Sequence, residues 1–500
     1  MSAAADAAAP LSEVVVVGSD APLWLATLAL ERALGRAGVA VTAVELPGDT
    51  SPAHVLAGLP PIRALHDKLG IDERALLRAT GASYSHGQGY VGRSIAWKAF
   101  FHPWAVTGAP VAGQPFFPAW LRASCEGDAG ALEEYCLAAV AARQGRVLAL
   151  ARTAGWETPE QAGLHIGALR YAHFLRALAI ARQVRVLPAR AVTAQLAGER
   201  IASLRLDGSG AEVQGQLFVD ASGAKSVLLG QALGVALEGG PEWGPTRLLV
   251  SGRAPPFRST PPLSEVRVAS AGCTLLHPTR PFTGVIHVHD AEAGDEALAA
   301  RCAAESAGAP LQDVRVAKFT PCVRARAWSG NCVAIGDAAA RLDPLHEAEM
   351  LVLHLGIAHL LALLPDAGPQ ADESAEYNRV VRSSLERIRD FQRAFYAGAP
   401  VDGPFWRRER EAPASAALEA KRRAFAARGV YAPMEDESFA AESWQSLMVG
   451  LGTRPTGWLP EADSLEPGAI TTSLAQQAAA IRSTARRLPL HDEVLTALER

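Results

Sequence analysis

The strongest constraint on the chain is a run of one β-branched residue, Val14-Val15-Val16-Val17, that stops at Gly18. Branching at Cβ disfavours a helix and suits a pleated, buried strand. An apolar pattern at helical spacing follows from Pro22 to Leu34, and a second short run, Val39 to Val44, ends in Glu45. Strand, helix and strand in that order predict a βαβ unit, which commits this part of the chain to an α/β, Rossmann-like parallel sheet. Dinucleotide-binding members of that class carry G-x-G-x-x-G in the first turn and an acid at the end of the second strand for the ribose hydroxyls. Glu45 stands where that acid belongs. The turn, however, reads Gly18-Ser19-Asp20-Ala21-Pro22-Leu23 and keeps only the first glycine. Two readings stay open: the Asp20 carboxylate repels a diphosphate, or Asp20 caps the helix of a module that binds its nucleotide weakly or not at all.

Composition narrows the class. With 49% hydrophobic and 20% charged residues the chain is globular. Lys+Arg 48 against Asp+Glu 52 gives a net charge of −4, which lacks the basic footprint of a nucleic-acid binder. Six scattered cysteines without a C-x-x-C pair suggest no metal site. Residues 1–12 are expected to form a disordered tail. The greasiest stretch, Met350 to Leu364, contains His354 and His359 and is shorter than the roughly 20 apolar residues of a membrane span. A cytoplasmic protein without membrane or nucleic-acid partners is the expectation.

Further along, a helix from Leu169 leads into a strand at Val184 to Leu187. A β-meander follows over Val192 to Leu196 and Ile201 to Leu206, and a return strand runs from Gln216 to Val219. That strand ends Leu217-Phe218-Val219-Asp220-Ala221-Ser222-Gly223, a small-residue turn at which a cofactor can approach the backbone. A second segment of this kind is Asn331-Cys332-Val333-Ala334-Ile335-Gly336-Asp337-Ala338-Ala339. A helix starting near Ala338 would direct its positive end at whatever lies above Gly336, and Asp337 could accept from a ribityl hydroxyl. An aromatic-rich and helical insertion is expected over 100–165, in which Trp104, Phe116, Phe117 and Trp120 either line a substrate cavity or, more commonly for such residues, pack. From about residue 371 the periodicity predicts a helical C-terminal subdomain (371–500). In it Trp406, Trp444 and Trp458 pack in the core, and Arg407 to Glu411 form a solvated helix face.

These segments, with Leu229-Gly230-Gln231-Ala232-Leu233-Gly234-Val235, Leu69 to Ser83 and Arg324 to Gly336, carry a resemblance. The chain resembles the FAD-binding scaffold shared by single-component aromatic hydroxylases and flavin-dependent tryptophan halogenases, and is most similar to the halogenase branch, from about Val14 to Leu364. The resemblance implies an FAD-binding module over 13–370 and a helical subdomain that covers a small aromatic, indole-like substrate. In the family a separate flavin reductase supplies reduced FAD, and its reaction with oxygen and halide yields hypohalous acid. A lysine and a glutamate beside the substrate then direct it.

The resemblance also implies which positions would carry that chemistry. Gly18, Glu45, Asp220, Gly336, Asp337 and Ala338 are the cofactor-binding candidates. Ser85 falls where the family has its lysine, with His86 next to it, and His346 falls where it has its glutamate. Ala348 and Glu349 replace the Thr-Gly pair that cradles halide, where a carboxylate repels an anion by about 4 kcal/mol at 4 Å and an effective dielectric of 20. The W-x-W-x-I-P barrier reads Cys273-Thr274-Leu275-Leu276-His277-Pro278. FAD binding is expected to be weak or lost, and halogenation is not expected. Three readings remain. The first is a flavoenzyme of altered chemistry using His86, His346 and His277 as acid and base groups. The second is a halogenase with Lys98 and Glu347 as substitutes. The third is a non-catalytic homologue acting as a binding or partner subunit.

Overall fold

The computed structural model describes residues 10–92, 97–148, 162–240, 242–245, 247–292, 294–366 and 371–498. Strand β1 (Glu13–Gly18), helix α1 (Asp20–Leu34) and strand β2 (Ala40–Glu45) form the expected βαβ unit. Val14 to Val17 are fully buried, as a strand covered on both faces requires. β1 lies parallel to β2 and to Leu217–Ala221, with Val14 opposite Leu217 and Gly18 opposite Ala221. The six-stranded sheet is completed by Arg185–Pro188 beyond β2, and by Cys332–Ala334 and Trp328–Ser329 beyond Leu217–Ala221. A Cβ at Gly18 would lie 2.3 Å from the Ala221 carbonyl oxygen, so strand packing alone demands glycine there. The three-stranded meander (Val192–Ala197, Arg200–Leu206, Glu212–Gln214) also forms as expected.

A second, seven-stranded sheet builds the opposite wall. Its order is Gln312–Phe319, Arg247–Ala254, Thr283–Asp290, Gly272–Pro278, Ser264–Ala269, Gly87–Gly92 and Phe100–Pro103. The segment aligned with the family's barrier is a wholly buried strand of this sheet. Helix Ala441–Gly450 packs on its Phe100–Pro103 strand, and Ala371–Gly398, Pro404–Glu411, Ala416–Arg428 and Pro467–Arg487 complete a helical C-terminal part.

Three expectations are corrected. The segment Arg407 to Glu411 is not wholly a solvated face: Glu409 is 2% exposed and pairs with Arg247 at 3.3 Å and Arg393 at 2.6 Å, because its helix packs against Ala371–Gly398. Leu11 is buried and its N–H donates to the Asp366 carbonyl, while residues 1–9 of the expected tail lie outside the described residues. No helix starts at Ala338. Gly336–Ala338 is a single 3-10 turn, and the helix begins at Ala348, after Pro344 and two left-handed residues. Leu345–Ala362 is long and apolar enough to cross a bilayer by composition, but 61% of it is buried within the fold, as a core helix would be. Trp406 and Trp444 are buried, and Trp458 is half-buried with its Nε1 donating to Asp463.

Candidate functional site

The β1–α1 turn, the Gly336 turn and the first turn of Ala348–Ala362 converge on a cleft of about 140 Å³, below the ~300–1,000 Å³ of small-molecule sites. Ser19, Asp20, His54, Ala221, Gly223, Gly336, Asp337 and Glu349 are among its walls. Asp20 holds a left-handed φ of 56°, a conformation that suits the glycine it replaces. It is not a side-chain cap. Ser19 occupies the N-cap position without a capping bond, and Asp20 Oδ2 accepts from Ser19 Oγ at 3.3 Å and from the Asp49 N–H at 3.3 Å, across the loop that follows β2.

Glu349 pairs with His54 Nε2 at 3.0 Å. Burial works against a charged His54, but Glu349, Asp337 and Asp20 together raise its pKa above the ordinary value. Burial also works against an ionised Glu349, and His54 outweighs it, so its pKa lies low. Asp337 opens onto the cleft. Desolvation by the surrounding walls, with the Glu349 carboxylate, pushes its pKa up against the opposing pull of Arg341 and His54. The cleft thus carries three carboxylates against one histidine.

The other cofactor candidates are engaged within the fold. Asp220 is fully buried and its carboxylate accepts from Ser222 Oγ, Ser226 Oγ and the N–H groups of Ser222, Leu228 and Leu229, which fixes the turn after its strand. Glu45 is held by Arg176 at 2.8 and 3.0 Å. Ala338 is buried in the 3-10 turn. The small residues Ala221, Gly223 and Gly336, the last at φ 55°, would admit a flat cofactor. The carboxylates of Asp20, Asp337 and Glu349 oppose a diphosphate and an anionic reduced ring, while a second cavity of about 480 Å³ beside the cleft is lined by Glu45 and Arg190.

His346 and Glu347 adopt left-handed φ of 61° and 57°, a rare pairing outside glycine that turns their side chains into the interior. The His346 ring is fully buried. It lies 4.7 Å from Phe391, 6.0 Å from Phe395 and Phe439, 6.3 Å from Tyr90 and 6.4 Å from His102, ring centre to ring centre. Phe391 and Phe439 stack on each other at 4.0 Å. His346 is therefore bordered by the protein's own rings. Neither nitrogen of His346 or of His102 has a hydrogen-bond partner among the described residues. Burial pushes His102 down to about 3 and His346 well below the ordinary imidazole range, with His102 adding to the latter, so both rings stay neutral.

Glu347 belongs to a separate buried chain. Its Oε1 accepts from Ser264 Oγ at 2.8 Å, and its Oε2 lies 3.3 Å from His277 Nε2. Gln88 Nε2 donates to Ser264 Oγ at 3.4 Å, and the Tyr90 hydroxyl donates to Gln88 Oε1 at 2.6 Å. Burial favours the neutral acid, but His277, His165 and Ser264 hold Glu347 below its ordinary value.

Ser85 and His86 are occupied elsewhere. Ser85 Oγ donates to the Gly87 carbonyl at 3.2 Å, and His86 Nε2 accepts from the Leu148 N–H at 3.1 Å. Lys98 is exposed at the rim of a different cavity. Sequence reasoning missed His54 and His102. No motif surrounds either one, and their neighbours Glu349 and His346 lie far along the chain. Among the described residues no group of three or more His, Cys, Asp or Glu side chains could hold a metal ion.

This architecture is that of flavin-dependent halogenases. The structure superposes on BrvH, a flavin-dependent halogenase from Brevundimonas sp. BAL3, with a TM-score of 0.91, 30% identity and coverage of 98% of this chain and 99% of the other. A flavin-dependent halogenase from Xanthomonas campestris gives the same TM-score at 28% identity, with 98% of each chain covered. In sequence, the tryptophan 6-halogenase ThaL of Streptomyces albogriseolus is 26% identical over 497 residues, 90% of this chain and 91% of that protein. The family profile described as tryptophan halogenase matches residues 13–467, and the chain belongs to that family.

Proposed function

We propose that this chain is a family member that does not halogenate and that serves as a binding or partner subunit on the halogenase scaffold. The observation that carries this reading is the enclosure of His346, at the position aligned with the family's glutamate, by Phe391, Phe395, Phe439, Tyr90 and His102. Ser85 supplies no amine, and its hydroxyl is bonded to the backbone. The acidic, narrow cleft supports the same reading, because Asp20 and Glu349 oppose both a diphosphate and a halide. On this reading neither FAD nor a flavin reductase is needed.

The test is the visible spectrum of the purified protein with and without added FAD, followed by incubation with reduced FAD, oxygen, bromide and indole. No flavin band, no spectral change on titration and no bromoindole are expected. Bromoindole would overturn the proposal. A second reading, flavin-dependent hydroxylation of an aromatic, is favoured by the small residues Ala221, Gly223 and Gly336 at the cleft. It requires stoichiometric FAD in the same titration.

A further inference from the structure

We infer that the turn Leu345–Glu347 is a strained latch, held shut by the Glu347 carboxylate, and that its release brings the His346 imidazole into contact with water. The inference goes beyond the reading above and invokes neither flavin nor halide. Three costs fall on two consecutive residues. His346 and Glu347 both hold left-handed backbone, φ 61° and ψ 32° followed by φ 57° and ψ 31°, and neither is glycine. The His346 ring is fully buried, and neither of its nitrogens has a hydrogen-bond partner among the described residues. Glu347 stands at the N-cap of helix Ala348–Ala362, yet its side chain makes no capping bond to the first turn. Strain of this kind persists only where neighbouring contacts impose it.

Those contacts are concentrated on one carboxylate. The residues before the pair are tied down separately: Gln392 Nε2 donates to the Asp343 and Leu345 carbonyls at 2.7 and 2.9 Å, and the Asp343 carboxylate accepts from the Tyr396 hydroxyl at 3.0 Å. After the pair, Ala348 enters a helix of 15 residues packed into the core. Between these fixed ends the His346 ring supplies packing alone. Glu347 supplies the polar hold, with Oε1 accepting from Ser264 Oγ at 2.8 Å and Oε2 lying 3.3 Å from His277 Nε2. Ser264 and His277 stand on the paired strands Ser264–Ala269 and Gly272–Pro278, so the carboxylate is pinned to a rigid wall. With the pin removed, relaxation of the backbone, solvation of the helix start and hydration of the imidazole all drive the turn the same way, as a local opening that leaves the sheet intact.

Carbethoxylation by diethyl pyrocarbonate, mapped by peptide mass spectrometry on the full chain, tests this at His346 against His289. His289 is equally buried and its Nε2 also lacks a partner, but it lies on the regular strand Thr283–Asp290, so it reports general loosening. Glu347→Ala should raise the His346 rate about tenfold and leave His289 unchanged. Ser264→Ala removes one of the two holds on the carboxylate without touching the turn; it should raise the His346 rate about threefold, and it decides the matter if E347A does not fold. In the parent, hydrogen exchange should open the amides of 345–349 about tenfold faster than those of 352–360 in the same helix. A His346 rate unmoved by S264A, a parallel rise at His289, or amides of 345–349 as slow as the middle of the helix would each overturn the inference.

Discussion

The cleft between β1 and the helix Ala348–Ala362 is lined with charge and open to solvent, while the space around His346 is closed and aromatic. The two regions would meet a small molecule by opposite means. In the first, carboxylates occupy positions where the resemblance puts glycines, and their charge opposes an anion. In the second, phenyl rings pack around His346. Repulsion falls with salt and with one substitution, whereas a filled core is removed only at a cost in stability.

Four perturbations would break or sharpen that contrast. The largest is Phe391→Ala: loss of a fully buried ring should cost about 3–5 kcal/mol in urea denaturation, and the resulting hole should let added indole raise the melting temperature. A neutral F391A would mean that the space is not packed. Next, Glu347→Gln should cost about 1–3 kcal/mol near neutrality by weakening a buried polar chain. Its pKa lies below the ordinary 4.5, so its stabilisation is present above that value and is lost as pH falls through the folded one. The gap between parent and E347Q should therefore close in acid, and a gap constant with pH would contradict the ionised assignment.

On the open side, Asp20→Gly should raise stability by about 1 kcal/mol, since glycine adopts φ 56° without strain. Combined with Glu349→Gln it should make FAD titratable by its visible spectrum. Failure of the double variant to bind flavin would move the cause from charge to volume. The smallest effect belongs to Asp337→Asn. The Asp337 pKa is raised in the folded chain, so its favourable contribution is complete below the ordinary 3.8 and fades as pH rises through the folded value. D337N should gain on the parent as pH increases, and denaturation midpoints at several pH values would show it.

The sheet around β1 was legible because local chemistry settles it. A valine run, a helical pattern and a second valine-bearing run specify strand, helix and strand within two residues of the observed bounds. The seven-stranded sheet was not, since its register joins Gln88 to Ser264 and Leu248 to Lys318, and no short-range pattern encodes such pairings. At the site, alignment singled out His346 but could not show the rings that surround it. Phe391, Phe395 and Phe439 arrive from helices and loops far along the chain. Asp20 was visible as a charge in a glycine-type turn, yet its left-handed backbone and its bond to Asp49 depend on the loop after β2.

The buried ion network at Arg247 has its own consequence. Arg247 touches Asp343 at 3.4 Å as well as Glu409, and Arg393 closes the circuit, with every member under 10% exposed. Arg247 comes from the large sheet, Asp343 from the turn before Ala348–Ala362, and Glu409 and Arg393 from the C-terminal helices. A nick that released those helices would strand Arg247 in apolar surroundings with one counter-charge missing, so neither fragment has reason to persist alone. The chain should melt as one cooperative unit, and sequence drift at either half must be answered by the other.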